Sequence, residues 1–269
     1  MTTLDRSRLS AVGWTAVAVA VCRARESVRP DRWFNDPLPV HMVRNVEYPL
    51  PAVRPGLVAW VSVRTRFLDA LTMQAIDDGV RQVVIVAAGL DARAFRLPLP
   101  PDATIFEVDR SDIFDVKDDV IHQAALAPRC QRRTVVADIL DPGWIAGLAG
   151  SGWDPDRPTL WLAEGLLIYL DQPQRVQLLT GLATAGNGGR LGATLSTETG
   201  PMRHPLWHPA ATEDPEVWMS SAGWRARGQT MAEASAAFGR PLPDAADAAG
   251  AATAWRLVSA VRATGTGYR

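Results

Sequence analysis

The stretch QVVIVAAGLDARAFR at residues 82–96 constrains the fold of this chain more than any other segment. Its first five residues include four that are β-branched and apolar, with no periodic polar breaks, which is typical of a parallel strand buried on both faces. Ala87, Ala88 and Gly89 follow at once, and their small size lets a ligand approach the backbone at the carboxyl end of the strand. Because this end is the usual ligand edge of an open α/β sheet, the sequence predicts an α/β fold with a binding site in this turn.

Asp91 narrows the chemical class of the ligand. A dinucleotide site uses the pattern G-x-G-x-x-G and rests a pyrophosphate on a helix N-terminus, where a fixed negative charge would repel it. Here Ala87 takes the place of the first glycine, and Asp91 supplies a negative charge. We therefore expect an adenosyl group that has no phosphates and has a cationic end, which describes S-adenosylmethionine. We expect a nicotinamide dinucleotide not to bind.

A second acidic residue supports a nucleoside ligand. The segment TIFEVD is interpreted as the next strand and ends in Asp109. This residue comes roughly 20 positions after Gly89, which is the spacing at which an acid meets the ribose hydroxyls. An Asp after a strand can also serve only as a turn or helix cap. Combined with the small-residue turn, the spacing favours Asp109 as the ribose ligand.

Four segments occur in the order AAGLDARAFRL, FEVDRSDIFDVK, TVVADILDPGW and TLWLAEGLLIYL. In this order they resemble the leucine carboxyl methyltransferase family, and within it the bacterial polyketide O-methyltransferases that include the tetracenomycin-type carboxyl methylating enzymes. The resemblance covers most of the chain, from about residue 18 to about residue 262. It implies a class I methyltransferase with a doubly wound, mostly parallel seven-stranded sheet and an antiparallel last strand. We expect one domain, with a helical cap at 1–80 and a Rossmann-like core at 81–269.

The resemblance assigns cofactor contacts to arginines of the cap. RARES followed by FNDPL resembles a family segment in which a basic residue reaches the methionine carboxylate of the cofactor, with Arg23 at that position and Arg25 as the alternative. Either could instead lie on a solvated helix face. In the helix predicted at 56–79, Arg64 would pair bidentately with the same carboxylate. Its neighbour Arg66 is expected to be a surface ion-pair partner.

The resemblance also assigns residues at strand ends. Asp138, after the third strand, would accept a hydrogen bond from the adenine amino group, and the amide of Ile139 would bond the ring. Alternatively, Asp138 caps the helix that starts near Pro142. Glu164, after the fourth strand, would balance the ammonium or sulfonium charge of the cofactor. Many relatives have GAG at the first turn where this chain has AAG, and we expect Ala87 to keep the negative φ that alanine tolerates.

Residues near the mouth of the site are candidates for contacts with the methyl acceptor. Tyr169 could orient the acceptor, although a tyrosine on an apolar helix is more often part of the core. The segment at 197–214 has no hydrophobic period and is rich in proline, as expected for a substrate loop. It contains His204, Trp207 and His208, which could contact an aromatic acceptor. These two histidines lack a third ligand at a persuasive spacing, so no metal site is predicted.

The predicted reaction is methyl transfer from S-adenosylmethionine to an oxygen, and the carboxylate of a polyketide-like small molecule is the preferred acceptor. A carboxylate is ionised at neutral pH and needs no general base. A phenol would need one, and His204 or His208 would be the candidates. No histidine lies within the four family segments, which favours the carboxylate. A non-catalytic S-adenosylmethionine-binding scaffold is the alternative from another class.

Composition excludes several other classes of protein. The formal net charge of -1 argues against a nucleic-acid partner and against an acidic membrane surface. Two cysteines are too few for a disulfide framework. The apolar run at 11–22 follows two arginines as in a signal peptide, but Asp5 and a poor cleavage site favour a cytoplasmic protein. The sequence gives no indication of the oligomeric state.

Overall fold

A computed structural model describes residues 9–45, 49–196, 205–208, 215–242 and 254–263. The strands are β1 Gln82–Val86, β2 Thr104–Asp109, β3 Gln131–Val136, β4 Thr159–Ala163, β5 Arg190–Ser196, β6 Trp224–Thr230 and β7 Trp255–Arg262. The α-helices are α1 Ala11–Ser27, α2 Pro37–Asn45, α3 Pro55–Asp77, α4 Arg93–Arg96, α5 Ser111–Gln123, α6 Trp144–Gly150, α7 Gln172–Thr184, α8 Pro215–Ser221 and α9 Met231–Ala237. A short 3₁₀ helix spans Leu167–Tyr169.

The strands of the described residues form one seven-stranded sheet in the order β3-β2-β1-β4-β5-β7-β6. β7 runs antiparallel to both of its neighbours, and the other adjacent strands pair in parallel. The doubly wound, mostly parallel sheet predicted from the sequence is confirmed. The strand order reverses between β1 and β4, so the carboxyl ends of these strands border the crevice in which such sheets bind ligands.

Helices cover both faces of the sheet. On β1, Val83 and Ile85 belong to a core cluster shared with α1, α2, α3 and α5, whereas Val84 and Val86 belong to a second cluster shared with α6 and α7. Successive side chains of a strand point to opposite faces, so a strand buried on both sides needs an unbroken apolar run. This requirement accounts for the sequence pattern of β1.

Helices α1 to α3 lie within the segment predicted to form the cap. The hydroxyl of Ser10 caps α1 by accepting a hydrogen bond of 3.0 Å from the amide of Gly13. Pro55 occupies the first turn of α3, where a proline displaces no intrahelical hydrogen bond. Among the described residues, no helix is long and apolar enough to cross a membrane.

Two helices begin in ways that the chain allows but does not announce. Helix α2 has Pro37 as its first residue, because the first turn of a helix tolerates proline. Helix α5 begins at Ser111, and Arg110 at its cap position makes no side-chain capping bond.

Candidate active site

The turn after β1 faces the end of β2. The amide of Gly89 donates a 2.6 Å hydrogen bond to one carboxylate oxygen of Asp109, and the amide of Arg110 donates a 2.8 Å bond to the other. Burial raises the pKa of Asp109 above its ordinary value, although both amides act in the opposite direction. Asp109 is thus fixed beside the small-residue turn, where a ribose would lie.

The conformation of Ala87 corrects one expectation. Its φ is +53°, so alanine occupies the left-handed region, and the expectation of a negative φ is wrong. Gly89 has the same φ of +53°, which glycine adopts without strain. The turn therefore needs a left-handed residue at position 87, and for a residue with a Cβ this costs about 1–2 kcal/mol.

Asp91 is buried and already paired within the protein. One of its oxygens accepts a 2.7 Å hydrogen bond from the amide of Arg93, and the other contacts the guanidinium group of Arg93. Arg23 lies 3.8 Å away. Burial alone would raise the pKa of Asp91, but the two arginines hold it below its ordinary value. Asp91 is therefore not the open negative charge expected from the sequence, and its paired carboxylate repels phosphate less than an unpaired one would.

Glu164 lies at the end of β4, inside a set of donors. Its Oε1 accepts hydrogen bonds from Arg64 Nε at 3.0 Å and from Thr65 Oγ1 at 3.1 Å, and its Oε2 lies 2.7 Å from Arg93 Nη2. Burial opposes ionisation of Glu164, but the guanidinium groups of Arg93, Arg64 and Arg23 hold its pKa well below the ordinary value. Glu164 is therefore a stable anion at the carboxyl edge of the sheet.

Gly165 lets Arg64 approach the backbone closely. Its φ is +67°, and a Cβ at this position would lie 2.8 Å from Nη1 of Arg64. Only Nε of Arg64 is bonded to Glu164, and the two terminal nitrogens make no hydrogen bond with the described residues. These nitrogens are available to a ligand carboxylate, the role that the resemblance gave to Arg64.

A buried network links the predicted residues to others that sequence reasoning missed. We call it the arginine cluster, and it consists of Arg23, Arg64, Arg93, Arg96, Asp36, Asp69, Asp91 and Glu164. Its four arginines and four acids carry equal and opposite formal charges. Arg93, which is fully buried, lies at its centre and contacts three of the acids. Burial would lower the pKa of Arg93, but its contacts with these acids raise it, so the guanidinium stays charged.

Burial and contacts distinguish the arginines of the predicted cap from one another. Arg23 is buried and donates a 3.0 Å hydrogen bond to the carbonyl of Leu90, in the turn after β1. Arg25 is exposed and bonds the carbonyl of Val53. Arg66 lies over the ring of Phe238 at 5.2 Å rather than in a surface ion pair. The structure thus brings Arg23 and Arg64 to the site and leaves Arg25 and Arg66 outside it.

Asp138 and Ile139 follow the edge strand β3. Asp138 is exposed, and its side chain accepts a 2.9 Å hydrogen bond from the amide of Leu140. It does not cap α6, which begins at Trp144 with Gly143 at the cap position. The amide of Ala137 donates a 2.9 Å bond to the carbonyl of Asp109. Because Asp138 and Ile139 directly follow Ala137, this bond holds the segment with the two predicted adenine contacts beside Asp109 in space.

The predicted acceptor residues are only partly described. His204 lies outside the described residues. The amide of His208 donates a 2.7 Å hydrogen bond to the carbonyl of Ile168, and the carbonyl of His208 accepts one of 2.7 Å from Arg175. These bonds fix the backbone of His208 beside the 3₁₀ helix that contains Tyr169, and the imidazole is exposed. Among the described residues, no cluster of three metal-binding side chains occurs.

Comparison with known families decides the classification. Residues 16–183, more than half of the chain, match the model of the leucine carboxyl methyltransferase family. The chain belongs to this family. The family recognised from the four sequence segments is thereby confirmed, and its polyketide branch remains a prediction.

Two curated relatives are similar to this family member over most of its length. A protein of Frankia alni is 37% identical over 278 residues, which cover 94% of this chain and 96% of the relative. A protein of Streptomyces avermitilis is 38% identical over 260 residues, with coverages of 88% and 92%. Both are provisionally named S-adenosyl-L-methionine-dependent methyltransferases, in agreement with the predicted cofactor.

Solved structures share the fold at low sequence identity. A DUF574 family protein from Streptomyces avermitilis aligns with a TM-score of 0.58 at 16% identity and covers 91% of this chain and 97% of its own. A provisionally assigned methyltransferase from Thermobifida fusca aligns with a TM-score of 0.57 at 17% identity, with coverages of 78% and 84%. These alignments support the Rossmann-like fold of the family member.

Most of the missed residues of the arginine cluster had a readable signal. Arg93 and Arg96 are three residues apart in DARAFR, so they lie on neighbouring positions of one helical turn. Asp69 interrupts the apolar stripe of α3, and an acid at such a position is buried only with a partner. Together, the spacing of the two arginines and the acid in the apolar stripe indicate a buried ion network.

Proposed function

We propose that this protein is an S-adenosylmethionine-dependent O-methyltransferase whose acceptor is the carboxylate of a polyketide-like small molecule in secondary metabolism. One observation carries the proposal. The bond between Gly89 and Asp109 lies at the carboxyl ends of β1 and β2, and the ion pair of Arg64 with Glu164 lies at the end of the adjacent strand β4. The nucleoside of the cofactor suits the contacts of Gly89 and Asp109. Its zwitterionic amino-acid end suits the ion pair of Arg64 and Glu164.

The charges of the site suit the cofactor. Asp109 has two carboxylate oxygens for the ribose hydroxyls, and the terminal nitrogens of Arg64 can take the methionine carboxylate. Glu164 is ionised and can accept a hydrogen bond from the ammonium group. When bound, S-adenosylmethionine supplies a methyl group on a positively charged sulfur, which becomes a neutral thioether once an oxygen has taken the methyl. The arginine cluster holds Arg64 and Glu164 in place for this ligand.

The acceptor determines which chemistry the protein must add. A carboxylate is already anionic at neutral pH, so the protein needs only to orient it and to exclude water. Orientation of this kind supplies about 7–11 kcal/mol of a barrier in favourable cases. A phenolic acceptor, with a pKa of ~10, is the second candidate because the backbone of His208 is fixed beside the 3₁₀ helix that contains Tyr169, and its imidazole is exposed.

Calorimetry followed by turnover tests the proposal. We expect S-adenosylhomocysteine to bind, and we expect methyl transfer from S-adenosylmethionine to an aromatic carboxylic acid in preference to the phenol of the same ring system. A carboxylate acceptor predicts a rate that changes little between about pH 6 and 8. A phenol with an imidazole base predicts a rate that rises with pH and falls in His208→Ala. Binding without transfer to any acid or phenol of the panel would favour the scaffold instead.

A further inference from the structure

Three tryptophans form a stack at the ligand edge of the sheet. We call Trp60, Trp207 and Trp255 the tryptophan stack. The ring centroids of Trp60 and Trp255 are 4.5 Å apart, and Trp207 meets Trp255 edge-on at 5.8 Å. Trp60 and Trp255 are buried, with 0% and 3% of their surface exposed. Indole rings in this arrangement form a rigid apolar surface.

The stack is adjacent to the proposed methionine end of the cofactor site. Trp60 lies one helical turn before Arg64 on α3, so both side chains lie on the same side of that helix. Arg64 in turn contacts Glu164 at the end of β4. Trp255 pairs with Ser196, the last residue of β5. The stack is therefore at the carboxyl edge of the sheet, where an acceptor has to meet the methyl group.

Two indole N–H groups of the stack lack partners. The indole nitrogens of Trp60 and Trp255 are buried and make no hydrogen bond with any residue that the structure describes. Three other buried or partly buried tryptophans donate to protein oxygens, namely Trp33 to Phe238, Trp153 to Thr159 and Trp224 to Leu179, whereas the N–H group of Trp161 inside β4 is unpartnered as well. A buried indole N–H usually finds a partner, because an unpaired donor loses its bond to water. Two such donors side by side indicate a ligand that carries an accepting oxygen.

The surroundings of the stack are apolar and partly open. Leu57, Val58, Tyr169 and Trp207 pack against the core cluster that contains Trp60 and Trp255, and all four are only partly buried. Such an apolar aromatic surface favours an aromatic ligand, because binding removes the apolar surface of both from water.

We propose that the tryptophan stack is the acceptor subsite. The planar apolar body of the acceptor packs against Trp207, the partly buried member of the stack, and the N–H groups of Trp60 and Trp255 donate to one of its oxygens. Because indole is a neutral donor that cannot accept a hydrogen bond, the subsite selects a carboxylate or carbonyl oxygen over an amine. This inference rests on the proposed function, since it places the acceptor of that reaction.

The test uses Trp60→Phe and Trp255→Phe, which remove the N–H group and keep an aromatic ring. Trp161→Phe is the matched control, since Trp161 is also fully buried with an unpartnered N–H but lies in the middle of β4 between Trp144 and Trp153. The probe is anthraquinone-2-carboxylate, titrated by calorimetry into protein with and without S-adenosylhomocysteine. We expect each of the first two variants to bind the probe about tenfold more weakly than wild type. The control should bind it as wild type does.

A second measurement separates loss of contact from loss of fold. In wild-type protein labelled with ¹⁵N in its indole groups, the probe should shift the N–H resonances of Trp60 and Trp255 but not that of Trp161. Affinity for S-adenosylhomocysteine should stay within about twofold of wild type in all three variants, because no indole is assigned to the cofactor.

Three outcomes would overturn the subsite: a wild-type protein that does not bind the probe, unshifted stack resonances, or equal probe affinity in all three variants. Failure of the proposed function looks different. In that case S-adenosylhomocysteine does not bind, or no methyl is transferred, while binding of the probe still depends on Trp60 and Trp255.

Discussion

Ala87 holds a left-handed backbone conformation with a φ of +53° at the centre of the site. Glycine adopts this conformation without strain, but it loses more entropy on folding. We therefore expect Ala87→Gly to raise the free energy of unfolding by about 0.5–1 kcal/mol, as the net of these two effects. Urea denaturation followed by circular dichroism measures the change.

Ala125 provides a matched control for this substitution. Its φ is +47°, and it follows α5. Ala125→Gly should stabilise the protein by a similar amount, and neither variant should weaken the binding of S-adenosylhomocysteine. A loss of stability in Ala87→Gly alone would show that the turn is not strained in the way its φ indicates.

Asp109 is the side chain on which the ribose assignment depends. Asp109→Ala removes the carboxylate that accepts from Gly89 and Arg110, so we expect S-adenosylhomocysteine to bind at least about tenfold more weakly. Calorimetry measures this directly. Asp118→Asn is the control, because Asp118 pairs with Arg132 and is exposed. Wild-type affinity in Asp109→Ala would show that the ribose binds elsewhere.

The loop that follows β4 contains Gly165, which leaves room for the guanidinium group of Arg64. A methyl group at Gly165 would lie 2.8 Å from Nη1 of Arg64, so Gly165→Ala must displace the guanidinium. We expect weaker binding of S-adenosylhomocysteine by about tenfold or more, in line with the loss of a charge-assisted hydrogen bond. Arg64→Ala should weaken binding to a similar degree, and calorimetry compares the two variants.

Gly188 controls for backbone strain in this experiment. It has the same φ of +67° as Gly165, but a Cβ at Gly188 would meet no atom within 4 Å. Gly188→Ala should therefore lower stability as Gly165→Ala does through strain, while cofactor affinity stays unchanged. If both variants bound S-adenosylhomocysteine equally well, the contact between Gly165 and Arg64 would have no role in binding.

The elements differ in how well the sequence predicted them. The extent predicted for β1 agrees with the structure, because this strand is largely apolar and ends in a clear turn signal. Helix α2 was not predicted, because prolines usually interrupt a helix, although its first turn accepts them. Asp109 was singled out through its spacing along the chain, whereas Asp138 and Glu164 came from the family resemblance. The arginine cluster was missed because its partners are far apart in sequence, with Arg93 paired to Asp69 and Arg64 paired to Glu164.

For the whole molecule, the arginine cluster links stability to pH. The folded protein holds the pKa values of Asp91 and Glu164 below their ordinary values of ~4. Their contribution to stability is therefore complete above about pH 4–5 and is lost as the pH falls through the lowered values. We expect the free energy of unfolding, measured in urea from pH 7 to pH 3, to fall steeply below about pH 4.

Glu164→Gln tests the source of this dependence. The variant should be less stable than wild type at pH 7, because it leaves Arg64 without its anion and Arg93 with two of its three, and it should lose less stability on acidification. Asp102→Asn is the control, since the side chain of Asp102 is 70% exposed. An unchanged pH profile in Glu164→Gln would assign the acid sensitivity to other carboxylates.

The equal number of positive and negative groups in the arginine cluster has a consequence for how the molecule meets its ligands. S-adenosylhomocysteine carries no net charge at neutral pH, so its binding to the proposed site would displace few counterions from the surroundings. Its dissociation constant should consequently change little between low and physiological ionic strength, where exposed charges would be strongly screened. Occupancy of the site would then follow the concentration of the nucleoside rather than the ionic composition of the medium.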